Sequence, residues 1–369
     1  DNSGTWEQVG DDIDGEAADD YYGGSVSMSS NGTRVAIGAS MNDGTGSNDG
    51  HVRIFEDISG TWTQMGQDID AEATGDRSGY SVSMSSDGTR VAIGAPYNDA
   101  AGDTAGHVRV YDWNSATPAW EQVGQDIDGE FAYDYSGWSV SMSSDGTRVA
   151  IGAPYNDGTA GNAGHVRMYE WNSGTSLWTQ MGPDIDGEAT YDSFGQSVSM
   201  SSDGTRVAIG GRYNNANNAH DAGHVRVYDW NSGTSEWTQA GQDIDGEVVG
   251  DQSGWSVSMS SDGTRLAIGA AYNDAGGNKA GHVRVYYWNS GTSNWTQVGL
   301  DIDGEAANDA FGSSVSMSSD GTRVAIGATQ GADWRNVGTG YVRVYSLLGE
   351  VGNPDQTINT ILAGKRSDY

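Results

Sequence analysis

The chain of 369 residues lacks, or has little of, several features that usually stabilise a protein or indicate its location. It contains no cysteine, which excludes disulfide bonds and thiolate metal sites. It contains only 5 prolines and no apolar run of about 18 residues, the length that a membrane-spanning helix needs. Lysine occurs only as Lys279 and Lys365. Stability must therefore come from non-covalent packing of the chain on itself.

Positive charge is scarce as a whole. The chain has 51 aspartates and glutamates but only 18 lysines and arginines, so that the formal net charge is −33. A surface of this charge repels the phosphates of nucleic acids and anionic lipid headgroups, whereas it favours cations, cationic partners or neutral glycans. We therefore expect no nucleic-acid partner and no insertion into a membrane.

A repeat of close to 58 residues is the main pattern that is present. Trp-(Thr/Glu)-Gln triplets recur at spacings of 56, 58, 58, 59 and 58 residues. They begin at Trp6, Trp62, Trp120, Trp178, Trp237 and Trp295. Each unit holds four short segments that alternate apolar with small or polar residues, separated by Ser-Asp-Gly-Thr and Trp-Asn-Ser-Gly-Thr turns. A four-strand meander of this length predicts one blade of a β-propeller.

The predicted fold is therefore all-β, a single six-bladed β-propeller over residues 1–348 with four antiparallel strands per blade. The last copy lacks the Trp-Thr-Gln motif. We expect the N-terminal strand around Trp6 to close the sixth blade by pairing with the three C-terminal strands, which removes an exposed sheet edge. Residues 349–369 do not match the repeat and are predicted to be a tail or a linker. Because the chain opens at Asp1 without a signal-peptide pattern, we expect a processed or excised fragment.

Three strings in the fourth copy carry a family resemblance. Asp192-Ser-Phe-Gly-Gln-Ser-Val-Ser-Met is followed by Val207-Ala-Ile-Gly and by Gly223-His-Val-Arg-Val-Tyr, and together they resemble the FG-GAP repeat of integrin-α-like propellers. The resemblance extends to about residue 347 and implies an extracellular or surface propeller that binds partners. Two features depart from the family. Its calcium loop usually lies between the first and second strands, where this chain has Ser-Ser-Asp-Gly-Thr, and integrin-like propellers have seven copies where this chain has six.

The loops between blades carry the motif Asp-Ile-Asp-(Gly/Ala)-Glu-x-x-x-Asp, whose acids at positions 1, 3, 5 and 9 have the carboxylate spacing of a calcium loop. The alternative is structural: the acids pair with repeated arginines such as Arg90 and Arg109, and the last Asp caps the turn before the next strand. We favour this alternative, since spacing alone is a weak signal. The calcium hypothesis concerns Asp68, Asp70, Glu72, Asp76, Asp126, Asp128, Glu130, Asp134, Asp184, Asp186, Glu188, Asp192, Asp243, Asp245, Glu247 and Asp251.

Other residues outside this motif are candidates for binding or modification. Asn31 and Asn294 begin Asn-x-Thr sequons and are candidate glycosylation sites. Trp138 and Trp255 stand just before the first strand, where the second copy has Tyr80, and are of interest for sugar binding. The candidate partner-binding residues in the loops after the second strands and in one aberrant loop are Asp99, Asp157, Asp274 and Trp334.

Five histidines occupy one repeat position, which holds Tyr341 in the sixth copy, and this pattern indicates packing rather than ligation or catalysis. They are His51, His107, His165, His224 and His282.

No Ser-His-Asp set, phosphate-binding glycine loop or isolated carboxylate pair stands outside the repeat. The sequence therefore predicts a non-enzymatic protein, secreted or on the cell surface, that serves adhesion or matrix assembly. It would engage an extracellular protein or polysaccharide through its acidic loops, with calcium as the only candidate cofactor. The alternatives are a glycan-binding lectin or carbohydrate-active enzyme, and a purely structural repeat protein.

Overall fold

The structure is a computed structural model that describes residues 7–44, 46–215, 219–329 and 339–347 and the strand Ile358–Ala363. Its regular elements are β-strands arranged in six antiparallel sheets. The prediction of an all-β, six-bladed propeller with four antiparallel strands per blade is confirmed. Within these ranges no helix has the length and apolar character that crossing a membrane requires.

One compact unit spans Glu7–Thr190 and contains three sheets. The first sheet consists of β1 (Tyr22–Met28), β2 (Arg34–Ala39), β3 (His51–Asp57), β4 (Trp62–Gln64) and β5 (Ile69–Asp70). The second consists of β6 (Ser81–Met84), β7 (Arg90–Ala95), β8 (His107–Asn114), β9 (Ala119–Gln122) and β10 (Ile127–Asp128). The third consists of β11 (Ser139–Met142), β12 (Arg148–Ala153), β13 (His165–Asn172), β14 (Leu177–Gln180) and β15 (Ile185–Asp186).

A second compact unit begins at Tyr191 and contains the other three sheets. The fourth sheet consists of β16 (Phe194–Met200), β17 (Arg206–Gly211), β18 (His224–Asn231), β19 (Glu236–Gln239) and β20 (Ile244–Asp245). The fifth consists of β21 (Ser256–Met259), β22 (Arg265–Ala270), β23 (His282–Asn289), β24 (Asn294–Gln297) and β25 (Ile302–Asp303). The sixth consists of β26 (Phe311–Met317), β27 (Arg323–Ala328), β28 (Tyr341–Leu347) and β29 (Ile358–Ala363).

The third strand of each of the first five blades pairs with two segments along its outer edge. In the first blade, β4 pairs with the end of β3 through Asp57, and β5 pairs with its beginning at His51 and Val52. The chain turns between these two segments at Gly66, which has a φ of 75° that suits glycine. This continuation holds the acidic motif beside the histidine that begins the third strand.

Within each compact unit, neighbouring sheets pack through apolar side chains. In the first contact, Val52 and Ile54 of β3 and Ala36 of β2 form one core cluster with residues of the second sheet. Those residues are Val82, Met84, Val91, Ile93 and Tyr111. The indole N–H of Trp120 donates to the carbonyl of Met65, 2.9 Å away, so this repeated tryptophan ties one blade to the preceding one.

The sixth sheet takes its outer strand from the C-terminal segment. β29 pairs with β28 in antiparallel register, with Tyr345 opposite Thr360. The closing role predicted for Trp6 is not verified, because residues 1–6 lie outside the described residues and β29 occupies the edge that was expected to receive them. Segment 349–369, predicted to be a tail or linker, therefore contributes a strand.

Candidate functional site

The first acid of each inter-blade motif is held by the glutamine of the preceding Trp-x-Gln triplet. In the second blade, Gln122 Nε2 donates to Asp126 Oδ1 at 2.6 Å. The same bond, also at 2.6 Å, joins Gln64 to Asp68, Gln180 to Asp184 and Gln239 to Asp243. This contact fixes one carboxylate oxygen and leaves the other directed elsewhere.

The acid at motif position 3 lies in the two-residue strand opposite the repeated histidine, as Asp128 does opposite His107. The other members of this set are Asp70, Asp186 and Asp245. The carbonyl oxygen of Asp128 accepts a 2.6 Å bond from Arg167 Nη2. The acid at motif position 5 lies beside the same arginine, with Arg167 Nη1 3.6 Å from Glu130 Oε1. Arg109 and Arg284 contact Glu72 and Glu247 in the same manner. Glu188 is exposed.

The last acid of the motif, at position 9, is buried and hydrogen-bonded. Asp134 Oδ2 accepts bonds from Asn156 Nδ2 at 2.9 Å and from the Phe131 N–H at 3.0 Å. Burial raises the pKa of Asp134, and these two bonds offset part of that effect. Asp76, Asp192 and Asp251 are buried in the same way and accept bonds from Asn98, Asn214 and Asn273. This geometry agrees with the turn-capping alternative for the last Asp.

The four acids of one motif thus have different partners and do not converge on one point. Acids of successive motifs meet instead around a repeated histidine, with one ligand atom from each residue within 4.8 Å of the others. The clusters of this kind that lie within one compact unit are Glu16–His51–Asp68, Glu72–His107–Asp126, Glu130–His165–Asp184 and Glu247–His282–Asp301. Calcium binding stays a prediction. The acids proposed for it contribute to these clusters, but each cluster combines acids from two successive motifs rather than from one.

The five repeated histidines, which the sequence pattern predicts to be packing residues, are buried. Burial, with a further contribution from neighbouring arginines, lowers the pKa of both His107 and His165 to about 4. Their imidazoles are therefore neutral near pH 7, the form in which a ring nitrogen can accept a proton or bind a metal ion. The sequence signal for these clusters is that the histidine, the glutamine and the two acids recur together in the repeat.

A cavity of about 430 Å³ opens beside the acidic motif that follows the first blade. It brings two carboxylates, Asp68 and Asp70, together with the rings of Tyr111 and Trp120. Its full lining is Gln67, Asp68, Ile69, Asp70, Tyr111, Thr117, Pro118, Ala119 and Trp120. Partial burial raises the pKa of Asp70, and the charge of Asp68 raises it further. A cavity of about 260 Å³ lies at the equivalent position of the preceding repeat, beside Asp12, Asp14 and Trp62.

Trp138 and Trp255, the two tryptophans of interest for sugar binding, are half-buried and packed against other rings. The ring centroid of Trp138 lies 4.7 Å from that of Tyr80 and 5.8 Å from that of Tyr155. Trp255 lies 5.3 Å from Tyr272, and an arginine guanidinium lies over its face. Much of the ring surface that a sugar would need is therefore already in contact with protein.

The acids predicted to bind partners have local structural contacts. Asp99 Oδ1 accepts a 2.7 Å bond from the Thr104 N–H. Asp157 and Asp274 accept the equivalent backbone bonds from Asn162 and Lys279. Their exposure leaves partner binding as a prediction, and Trp334 lies outside the described residues.

The two sequons lie in different settings. Asn31 is exposed, and its Oδ1 accepts three hydrogen bonds within its turn. Asn294 is half-buried and contacts the Gln242 N–H at 3.0 Å. Only Asn31 thus has the exposed position that a glycan requires, and glycosylation stays a prediction.

Comparison with known families agrees with the repeat pattern. The FG-GAP repeat matches residues 70–111 and 127–168, so that the chain carries FG-GAP repeats at these two positions, as the resemblance implied. Both matches extend from an inter-blade motif to the third strand of the next blade. No curated protein matches the sequence.

Two solved structures share the fold. One is a periplasmic gluconolactonase from Pseudomonas aeruginosa, at 15% identity and a TM-score of 0.58, with 92% of this chain and 84% of that chain covered. Another is a putative 6-phosphogluconolactonase from Bacteroides uniformis, at 12% identity and a TM-score of 0.60, with 92% and 85% covered. At these identities the likeness establishes the fold alone.

The prediction of a non-enzymatic adhesion or matrix-assembly protein is contradicted by this comparison. The two solved structures described above are named as a gluconolactonase and a putative 6-phosphogluconolactonase. The alternative of a carbohydrate-active enzyme agrees better with them. No catalytic constellation interrupts the repeat in the sequence, but the cavity at Asp68 and Asp70 is built from repeat residues themselves.

Proposed function

We propose that this protein is a carbohydrate-active hydrolase that opens a neutral sugar lactone in the cavity lined by Asp68, Asp70, Tyr111 and Trp120. The observation that carries the proposal is the meeting of two carboxylates and two aromatic rings in one cavity of about 430 Å³. Pockets of about 300–1,000 Å³ hold small molecules. Aromatic rings offer an apolar surface to the C–H face of a sugar, and carboxylates accept bonds from its hydroxyl groups.

The two carboxylates have different environments, which suits acid and base roles. The raised pKa of Asp70 extends its protonated form to higher pH. Asp68 is held by Gln64 and lies 3.7 Å from His51 Nδ1, measured from Oδ2. In the proposed reaction Asp68 takes a proton from water as the water oxygen attacks the lactone carbonyl carbon. The ring C–O bond then breaks, and Asp70 supplies the proton to the departing ring oxygen.

The charge of the cavity distinguishes between the two kinds of lactone named in the neighbouring structures. Its lining includes Asp68 and Asp70 but no lysine, arginine or histidine. A phosphorylated lactone would bring its negative charge toward these acids with no cation to pair with it. We therefore expect the neutral lactone to be the better substrate. The extracellular location and a polysaccharide or protein partner remain predictions beside this proposal.

The test is hydrolysis of glucono-δ-lactone and of its 6-phosphate by the purified chain, measured by acid release above the spontaneous rate. We expect turnover with a higher kcat/KM for the neutral substrate. Because general acid catalysis contributes about 10²–10⁴-fold, Asp70→Asn should lower kcat by about 100-fold or more. The side chain keeps its volume in this variant, so that folding is preserved.

The matched control is Asp87→Asn, in the turn between β6 and β7. Asp87 Oδ1 accepts bonds from Ser85 and Thr89, and Asn31 makes the same contacts in the first copy. Activity should be unchanged in this variant. Equal activity of Asp70→Asn and wild type would remove the cavity as the active site, and the absence of turnover on a panel of neutral lactones would overturn the proposed function.

A further inference from the structure

His282, at the start of β23, is a fully buried histidine whose hydrogen-bonding capacity is unused. Its exposed fraction is 0%, and neither Nδ1 nor Nε2 has a hydrogen-bond partner among the residues that the structure describes. An unpaired polar group in the interior costs about 1–3 kcal/mol, so that such a group usually has a ligand or a partner.

The Nδ1 atom of His282 faces two carboxylates that come from successive inter-blade motifs. It lies 4.0 Å from Glu247 Oε2 and 3.9 Å from Asp301 Oδ2. All three ligand atoms lie within 4.8 Å of one another. These distances exceed a hydrogen bond but leave room for an ion between the three atoms.

The remaining carboxylate oxygens are held by neighbouring side chains. Gln297 Nε2 donates to Asp301 Oδ1 at 2.7 Å, and Arg284 Nη1 lies 3.9 Å from Glu247 Oε1. The oxygens that face His282 are thus the ones without these contacts. Outer contacts of this kind orient metal ligands in known sites.

We propose that Glu247, His282 and Asp301 form a site for a first-row divalent transition ion, with zinc as the expected metal. Two metal–ligand bonds of about 2.0–2.2 Å, the usual Zn–N and Zn–O lengths, can span the 4.0 Å and 3.9 Å that separate His282 Nδ1 from the two carboxylate oxygens. One imidazole and two carboxylates are ligands that zinc accepts.

The charges and the ligand types favour zinc over calcium. Two carboxylates balance the charge of a divalent ion, while Arg284 remains on the outer oxygen of Glu247. Calcium takes about 6–8 oxygen ligands, whereas a nitrogen ligand suits transition metals. The side chain of Glu247 is 44% exposed, so that an ion can enter from solvent and a water molecule can complete its coordination.

The same arrangement recurs in the other unit, where His107 is buried and has no hydrogen-bond partner at either nitrogen within the described residues. Its carboxylate neighbours are Glu72 and Asp126. The site at His282 is separate from the proposed lactone cavity, since it shares no residue with that cavity. Its failure would leave the proposed hydrolase activity untouched.

The experiment is calorimetric titration of the chelator-treated full chain with zinc chloride, in physiological salt with excess magnesium to occupy diffuse cation binding. We expect saturable binding of zinc. His282→Gln and Asp301→Asn should each lower the number of tightly bound zinc ions by one. In Asp301→Asn the side-chain oxygen still accepts the bond from Gln297, so that this variant keeps its fold even if loss of the buried histidine destabilises the other.

The matched control is His220→Gln, which replaces a histidine whose side chain is 77% exposed and should leave the stoichiometry unchanged. Cobalt provides an independent readout, because its visible absorption reports nitrogen and oxygen ligands and should fall by the contribution of one site in the two site variants. Unchanged zinc stoichiometry in both site variants, or equal competition by calcium, would overturn the proposal.

Discussion

The aspartate of the Ser-Asp-Gly-Thr turn shows how one side chain organises the hairpin between the first two strands. In the third blade, Asp145 Oδ1 accepts bonds from the Ser143 hydroxyl at 2.7 Å, the Thr147 N–H at 2.9 Å and the Thr147 hydroxyl at 2.8 Å. In the first copy Asn31 accepts the same three bonds through its amide oxygen. The turn therefore requires an acceptor at this position rather than a charge.

This contact predicts different outcomes for two variants of Asp145. Asp145→Ala removes the acceptor and should lower the free energy of unfolding by about 1–2 kcal/mol, whereas Asp145→Asn should cost much less at pH 7. The measurement is urea unfolding followed by tryptophan fluorescence. An equal loss in both variants would contradict the acceptor role and indicate that the charge matters.

The stability of wild type and that of Asp145→Asn should respond differently to acid. Partial burial alone raises the pKa of Asp145, but the bonds from Thr147 and Ser143 outweigh it, and the net pKa is lowered. A lowered folded-state pKa contributes stability above the unfolded-state pKa of about 4 and loses it as the pH falls through the folded value. The loss of stability on acidification should therefore be smaller in Asp145→Asn, and identical pH profiles would contradict this.

Among the elements, the second strand in several blades depends on a glycine that lets the next blade approach. A Cβ atom added to Gly94 in β7 would lie 2.1 Å from the carbonyl oxygen of Gly137 and 2.4 Å from Ser81 Oγ. That carbonyl accepts a 2.8 Å bond from Ser81 Oγ. Gly38 and Gly269 have the same close contact with the next blade. The Val-Ala-Ile-Gly pattern thus serves contact between sheets as well as strand formation.

Gly94→Ala should lower the free energy of unfolding by about 1–3 kcal/mol or more, because the methyl group meets backbone atoms that cannot move aside alone. The matched control is Gly161→Ala, where the nearest atoms to an added Cβ lie 3.8 Å and 3.9 Å away. Urea unfolding of both variants provides the comparison. Equal stability of the two variants would show that the sheets can separate at Gly94 without cost.

For the whole molecule, the dominant property is the net charge of −33. The described arginines are placed to reduce local repulsion, as in the contact of Arg90 with Asp112 across β7 and β8. Such partly exposed pairs contribute little individually and do not cancel the excess of acid. Repulsion among the remaining carboxylates opposes the compact state.

Salt should therefore stabilise the protein. Raising sodium chloride from about 0.01 M to about 1 M shortens the screening length from about 30 Å to about 3 Å. We expect the melting temperature of the chelator-treated protein to rise over this range, measured by calorimetry. A constant or falling melting temperature would mean that ion pairs, rather than repulsion, dominate the electrostatics.

The sequence was sufficient to predict the strands, the turns and the number of blades. Val-Ala-Ile-Gly and His-Val-Arg-Val-Tyr have the apolar alternation of strands, and the turn motifs act through contacts a few residues apart, as at Asp145. It was not sufficient for the sixth blade, because the pairing of Ile358–Ala363 with β28 rests on backbone hydrogen bonds that leave no repeat signature in the side chains.

The sequence by itself determined the acidity of the molecule, its repeated blades and the faces along which they pack, because these follow from charge and short-range periodicity. Only the tertiary structure decided which acids meet. Glu247 and Asp301 are far apart in sequence and approach one another beside His282, whereas Asp251, in the same motif as Glu247, is buried against Asn273. Spacing within a loop specifies the backbone path of that loop, but a binding site depends on which loops the packed sheets bring together.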